Sequence, residues 1–426
     1  MAAPITGASS WNINDPRSQK KWSTKFFAFI LENMLFSSLM GSGINNVITQ
    51  VTDLTSAPGG TIVFDIEAPL TSVGIGDNER LIDGTATDNT EALKNYSFQV
   101  VIHERALGVQ EGGKTSSQYT RTNVKTSGLK RLGIWSSEQI EDDLVRAMSG
   151  VGNVSSNIET VNQIDPTQNR YYAIGQATST PYAVSYVQID STTNISGLAP
   201  TVNLPLASFT SHATGSGSRF GTKVIEFLRR KARDVITGTY GTTSLKIPKL
   251  APMKIDGKDT YVYIISRLME KSLKADPLWL ESQQQANVRG LKNPIFDGSV
   301  GIWDGVVIYV SERLQQRVGE GGVTSTEGFN TYESGAGLDA VASGHTVDRG
   351  LFVGAQAGVM AWGSMPKKTT SREDIDRLDA AAVSMVYGTK KTQWSYYVPN
   401  WSTNLGVSSI TEDYGVITTD VIVDSD

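Results

Sequence analysis

Cysteine is absent from all 426 residues, which removes disulfides, thiolate metal sites and thiol nucleophiles in one step. Histidine is scarce: His103, His212 and His345 are the whole supply, far apart and with no H-x-x-x-H pair. Catalytic zinc or a Ser-His-Asp triad would have to come from distant segments, so the chain reads as a non-enzyme without metal or cofactor. Strong positive charge is also missing. The formal net charge is -5 with a pI near 5.4, unlike the basic surface of a dedicated nucleic-acid-binding domain. Charged residues of both signs make up only 19%.

A long apolar run is lacking too. The most apolar window, "WSTKFFAFILENMLFSSLM" (22–40), follows Lys20 and Lys21 but is interrupted by Glu32 and Asn33. Its basic flank lies too deep in the chain for a signal peptide, and no other stretch approaches a membrane span. The expectation is a soluble, non-exported protein. Phe27, Ile30, Leu31, Met34, Leu35 and Leu39 recur at helical spacing, so the window reads as an amphipathic helix that needs a partner surface.

What is abundant is glycine, 41 residues against 14 prolines, which favours many turns and a β-rich architecture. The length suits about two or three domains. After a polar arm and the apolar helix, "TIVFDIEAPL" (61–70) alternates as a strand, and so does "YSFQVVIHERALGV" (96–109). Between them lies a polar excursion with Asp77, Glu79, Asp83, Asp88 and Glu91 against Arg80 and Lys94. A connection of that length is usually functional or disordered. The pattern describes an extended hairpin with an acidic tip, and such a hairpin is marginal alone.

Residues 122–150 read as one long helix striped by Leu129, Leu132, Trp135, Ile140, Leu144 and Met148. A Ser/Thr/Asn/Gly-rich insertion (151–218) follows, with short strands in "YYAIG" and "YAVSYVQI", then a second helix over 219–236. Its Arg229, Arg230, Lys231 and Arg233 are expected to form a solvated face. A buried-type strand then a helix cover 260–276, and a strand pair turns at Asp304-Gly305. After a glycine-rich loop (319–344), "GLFVGAQAGVMAWG" (350–363) is a strand signal. This order argues for an α+β chain.

"GVQEGGKT" (108–115) matches the phosphate-loop pattern at Gly108, Gly113, Lys114 and Thr115. The chemistry needs a helix starting at once, so that its first N–H groups cradle phosphate. "SSQYTR" follows instead, and Ser and Thr side chains compete with helical backbone bonds. No run of four apolar residues closing on Asp is present to hold Mg²⁺, and "TIVFD" (61–65) precedes the motif inside the hairpin. The match reads as accidental, with Gly112 and Gly113 turning the hairpin base.

The ordered phrases "KLAPMKIDGKDTYVYIIS", "DPLWLESQQQANVRGLKNPIFDGSVGIWDGVVIYVSERL" and "RGLFVGAQAGVMAWG" resemble the major capsid proteins of tailed bacteriophages. The similarity is to the branch of larger, podophage-like coat proteins. "KKWSTKFFAFILENMLFSSLMG", "GGTIVFDIEAPLT" and "LVRAMSG" fall in the same order there. "TTSREDIDRLDAAAVSMVYG" (369–388) is similar to a stretch of the wider Hong Kong phage-type capsid fold, where a turn (here Ser371, Arg372, Glu373 and Asp374) links two peripheral strands. The continuation "KTQWSYYVPNWSTNLGVSSITEDYG" departs from that pattern as an insertion before "VITTDVIV".

The resemblance implies five parts: an amino-terminal arm (1–55), an extended loop (56–118), a peripheral domain with a spine helix (119–245), an axial domain (246–345) and a return to the peripheral domain (346–426). It implies a structural protein that self-assembles into hexamers and pentamers of an icosahedral shell around packaged double-stranded DNA, in the virion after assembly in the host cytoplasm. A separate scaffolding protein, a portal and a decoration or cement protein are the implied partners. Subunit contacts are expected at Phe27, Leu31 and Leu35, and between the tip residues Asp77, Glu79, Asp83 and Glu91 and a basic element around Arg121, Lys125, Lys130 and Arg131. Three other readings stay open: an encapsulin-like nanocompartment shell, a nucleotide hydrolase using Gly108–Thr115, and a β-rich tail or adhesin component.

Overall fold

The computed structural model describes residues 34–43, 45–52, 61–67, 95–110, 124–149, 171–177, 182–189, 218–234, 236–240, 243–247, 249–255, 257–285, 300–311, 314, 345–373, 378–397 and 409–424. The first strands are β1 (Met40–Gly41), β2 (Ile48–Val51), β3 (Thr61–Glu67), β4 (Asn95–Val101), β5 (His103–Gln110), β6 (Tyr171–Ala177), β7 (Val184–Ile189) and β8 (Ser218–Arg219). Then come β9 (Ile236–Tyr240), β10 (Thr243–Ile247), β11 (Met253–Ile255), β12 (Lys258–Ile265), β13 (Gly301–Trp303) and β14 (Val306–Val310). The last are β15 (His345–Val353), β16 (Gly358–Glu373), β17 (Leu378–Lys391), β18 (Gln393–Tyr397), β19 (Ser409–Asp413) and β20 (Val416–Asp424). Among the described residues four α-helices join them: α1 (Val124–Ser149), α2 (Thr222–Arg233), α3 (Arg267–Lys274) and α4 (Pro277–Gln285). The fold mixes helix and sheet, as the α+β reading expects.

Two sheets carry the body. A nine-stranded sheet runs β13-β14-β12-β15-β20-β6-β7, with β11 added to β12 and β8 to β6. The interior strand β12 reads "TYVYII" without polar alternation because both faces are covered. Val262 and Ile264 enter one core cluster, while Tyr261, Tyr263 and Ile265 enter another beneath α2 and α3. The neighbouring β13–β14 hairpin turns at Asp304 (φ 46°) and Gly305 (φ 72°). Two positive φ angles match the right-handed twist of the strands they join, which is why Asp-Gly sits there. The strand signals at 171–177 and 184–189 pair antiparallel at one end of this sheet.

The second sheet runs β1-β2-β16-β17-β5. Helix α1 lies on it, burying Leu132 against Ala381 and Val383, and Ile140, Leu144 and Met148 in the cluster that holds Met360, Trp362 and Met385. That cluster also takes Val262, Leu351 and Val353 from the nine-stranded sheet, so one core joins both sheets. The ladder of β16 on β17 slips between Trp362 and Ser364 and again between Ser364 and Lys367. The second slip spans Pro366, which has no N–H to give a ladder.

Four expectations need correction. The apolar segment ends in a 3₁₀ turn, Leu35–Leu39, followed directly by β1. Its Met34, Phe36 and Leu39 are buried in the chain's own core, so this part is completed by intramolecular packing; Phe27 and Leu31, and the Leu35 side chain, lie outside the described residues. The strand signal 350–363 divides into β15 and β16, which belong to different sheets. Between them Gln356 takes a left-handed φ of 55°, and Gly354 passes so close to Ala251 that no Cβ would fit. Ser371, Arg372 and Glu373 belong to β16 rather than to a turn; Asp374 lies outside the described residues. The insertion after Lys391, for which no fold was expected, holds an antiparallel pair of its own, β18 with β19, and needs no correction.

Candidate functional site

The fourth correction concerns the hairpin, and it defines the site. Residues 96–109 read as one strand, but the chain changes sheets at Ile102. β4 pairs antiparallel with β3, from Thr61↔Val101 to Glu67↔Asn95. β5 instead pairs with β17, from Tyr387↔His103 to Ala380↔Gln110. An alternating pattern cannot reveal this, because both halves keep period two while only the partner changes.

The root of the hairpin is held by apolar and polar contacts. Val100 is buried with Val359 and Ala361 of β16, and Ile62, Phe64 and Ile102 pack against them. Val63, on the opposite face of β3, is exposed. The Lys390 ammonium donates to the Gln99 carbonyl at 3.1 Å, tying β4 to β17. Burying an apolar side chain of this size contributes about 1.5–3 kcal/mol, so the apolar contact outweighs the exposed polar tie.

Beyond Ile102 the chain is pinned to α1. Arg105 Nη2 donates to both carboxylate oxygens of Asp143 at 3.3 and 3.2 Å. Gln139 donates to the same carboxylate at 3.2 Å and the Tyr387 hydroxyl at 2.7 Å. Asp143 is 4% exposed at its side chain and Arg105 14%. Helix, β5 and β17 therefore meet on one buried carboxylate. Burial, reinforced by the adjacent Asp143 charge and hydrogen bond and opposed by Arg105, raises the Tyr387 hydroxyl well above its ordinary pKa. Asp143 lies three residues after Ile140 and one before Leu144, on the buried stripe of α1. A carboxylate on an apolar face needs a partner, and that spacing is the signal that could have found it.

A second buried carboxylate sits in the nine-stranded half. Helix α2 begins after Gly221, which offers no side chain to its first N–H groups. Asp276, from the link between α3 and α4, accepts from Thr222 N at 2.7 Å and Thr222 Oγ1 at 2.8 Å. Gln176 of β6 accepts from Lys223 N at 2.8 Å. Charge and hydrogen bonding at a helix start favour this arrangement. At the other end, Arg229 bonds Asp304, and Arg230 and Lys231 lie 5.4 and 5.7 Å from the centroid of the Phe227 ring. The basic cluster is thus partly engaged rather than wholly solvated.

The remaining sequence candidates are placed as follows. Lys130 and Arg131 are exposed on α1. Arg121, the Lys125 side chain, Asp77, Glu79, Asp83 and Glu91 lie outside the described residues. Gly108 of the phosphate-loop pattern is inside β5, opposite Ala382; Gly113, Lys114 and Thr115 lie outside the described residues. A glycine inside a strand ladder is not the opening residue of a phosphate cradle. Among the described residues no group of three or more His, Asp or Glu could hold a metal ion. Among them, too, no helix is long and apolar enough to cross a membrane.

Comparisons with known proteins agree on one architecture. Residues 11–424 match the family model described as phage capsid protein. The major capsid protein of Pseudomonas phage KPP25 is 23% identical over 422 residues, 98% of each chain. Among solved structures, the capsid of Ralstonia phage GP4 superposes with a TM-score of 0.60 at 22% identity, over 99% of both chains. The capsid asymmetric unit of cyanophage Pam1 gives 0.60 at 16% identity, over 93% of this chain and 94% of the other.

Proposed function

The chain belongs to the phage capsid protein family, and from that premise we propose how it builds a shell. It is a structural subunit of the capsid, and its place is the virion. The match over residues 11–424 carries this reading, because it leaves almost none of the chain for another activity. In our reading the subunit forms hexameric and pentameric capsomers of an icosahedral shell, and it encloses double-stranded DNA without reading its sequence. Closed symmetry uses each contact surface many times, so modest contacts give a durable container. A net charge of -5 suits that role, since a strongly basic lining would retard DNA threading.

Within the Hong Kong phage-type plan we assign residues 1–55 to the arm, 56–118 to the extended loop, 119–245 and 346–426 to the peripheral domain, and 246–345 to the axial domain. α1 is then the spine helix. The hairpin crosses to a neighbouring subunit, where Asp77, Glu79, Asp83 and Glu91 face a basic element around Arg121, Lys125, Lys130 and Arg131. Exposed ion pairs contribute about 0–1 kcal/mol each, so these charges set register more than strength. Phe27, Leu31 and Leu35 complete the arm contact. A separate scaffolding protein, a portal and a decoration protein act alongside.

The test is electron microscopy and sedimentation of the expressed full chain. Closed angular particles, or rings of five and six, are expected. Replacing Asp77, Glu79, Asp83 and Glu91 together by Lys should sharply lower the yield of closed shells. Unchanged shells would remove the tip contact, and a chain that stays monomeric at high concentration would remove the shell reading.

A further inference from the structure

We infer that Gly363 and Gly388 form a two-glycine seat that sets the angle at which the hairpin leaves the subunit. The inference rests on the reading that the hairpin engages a neighbour. It concerns positioning residues, which touch the root of the hairpin within the subunit.

The two glycines lie on adjacent strands directly under the switch from β4 to β5. Gly388 of β17 is opposite Ala361 of β16, and Gly363 falls in the slip between Trp362 and Ser364. A Cβ on Gly388 would stand 3.0 Å from both the carbonyl carbon of Val101 and Cγ1 of Val100, with the Val101 carbonyl oxygen closer still. A Cβ on Gly363 would stand 2.6 Å from Cδ1 of Ile102 and 3.1 Å from Cγ1 of Val386. So two missing side chains admit Val100, Val101 and Ile102. Not every glycine here is under such pressure: a Cβ on Gly108, further along β5, would find Ala382 Cβ at an ordinary 3.5 Å.

The two obstacles differ in kind. At Gly388 the neighbour is backbone, which can yield only if β4 lifts. Carbon contacts relax at about 3.5–4.0 Å, so Val101 would rise by about 1 Å. Arg105, held by Asp143, is four residues away, about 13 Å along a strand. The lift is therefore a tilt of about 4–5°, displacing the far end of the seven-residue β4, about 33 Å from the pivot, by about 2.5 Å at 3.3 Å per residue. In a closed shell every copy repeats the same error, so it accumulates around the ring. At Gly363 the neighbour is the end of a side chain, which can turn aside or be trimmed.

The experiment uses the full chain carrying Gly388→Ala, Gly363→Ala, Gly363→Ala with Ile102→Val, and Gly108→Ala. Shell yield and diameter are read by sedimentation and electron microscopy, and amide hydrogen exchange is followed on the soluble subunit. Gly388→Ala should lower closed-shell yield at least tenfold and speed exchange across residues 95–101, leaving α1 unchanged. Gly363→Ala should show a smaller loss that Ile102→Val, which removes Cδ1, restores; Gly108→Ala should assemble normally. Normal shells from both single seat variants overturn the inference. So does failure of Ile102→Val to rescue Gly363→Ala, the comparison that decides should Gly388→Ala not fold. If the unaltered chain makes no shells, the shell reading fails, and exchange at 95–101 alone judges the seat: no change in Gly388→Ala overturns it.

Discussion

Asp143→Asn is the sharpest probe of how the hairpin strand is anchored. The substitution keeps the shape of the side chain and removes its charge, so no cavity is made. Arg105, 14% exposed, loses its counter-charge, and in either orientation the new amide N–H₂ faces Arg105 together with Gln139 or the Tyr387 hydroxyl, all donors here. A hydrogen bond to a charged group contributes about 1.5–3 kcal/mol net, and a donor left facing a donor costs about 1 kcal/mol more. The expected loss is about 3 kcal/mol, at the low end of the cost of breaking a buried pair. Since 1.36 kcal/mol is tenfold, amide protection in the second half of α1 should fall about a hundredfold, read by hydrogen exchange. Arg105→Met should cost a similar amount. The double variant should lose at least about 1 kcal/mol less than the sum, because contacting residues are coupled. A fall of under tenfold, or strict additivity, would refute the pin; Lys130→Gln on the exposed face should change nothing measurable.

Asp276→Ala should destabilise the nine-stranded half by about 2–3 kcal/mol, since the start of α2 loses its acceptor; a local rise in exchange at residues 222–228 checks it. Tyr387 gives an alkaline signature. Its native pKa is raised, first by burial and then by Asp143, so above pH ~10 the native state holds a proton that the unfolded state has lost. Stability is then complete below pH ~10 and declines as pH rises beyond it. Tyr387→Phe should cost about 1 kcal/mol at neutral pH and make the urea midpoint less steep between pH 10 and 11; an unchanged slope would count against the burial argument.

Local physics was legible in the order of residues. The Asp304-Gly305 turn, the doubly covered run of β12, the stripe of α1 and the strand pair of the 151–218 insertion all follow from period and turn chemistry, which act over a few residues. The ordered phrases from Lys249 onward also pointed to the capsid family that the match over 11–424 establishes. Scarce histidine and absent cysteine narrowed the chemistry before any fold was known.

Only the tertiary structure decided where continuous patterns break. Ile102 divides one alternating run between two sheets, and Gly354–Ala357 does the same between β15 and β16. Both breaks depend on partners far away in the chain, such as Tyr387 opposite His103, and a side-chain period carries no record of its partner. The same holds for Asp143, Asp276 and the glycines under Val101. Their meaning comes from atoms brought close by folding, because burial and van der Waals exclusion are properties of the packed chain and not of its letters.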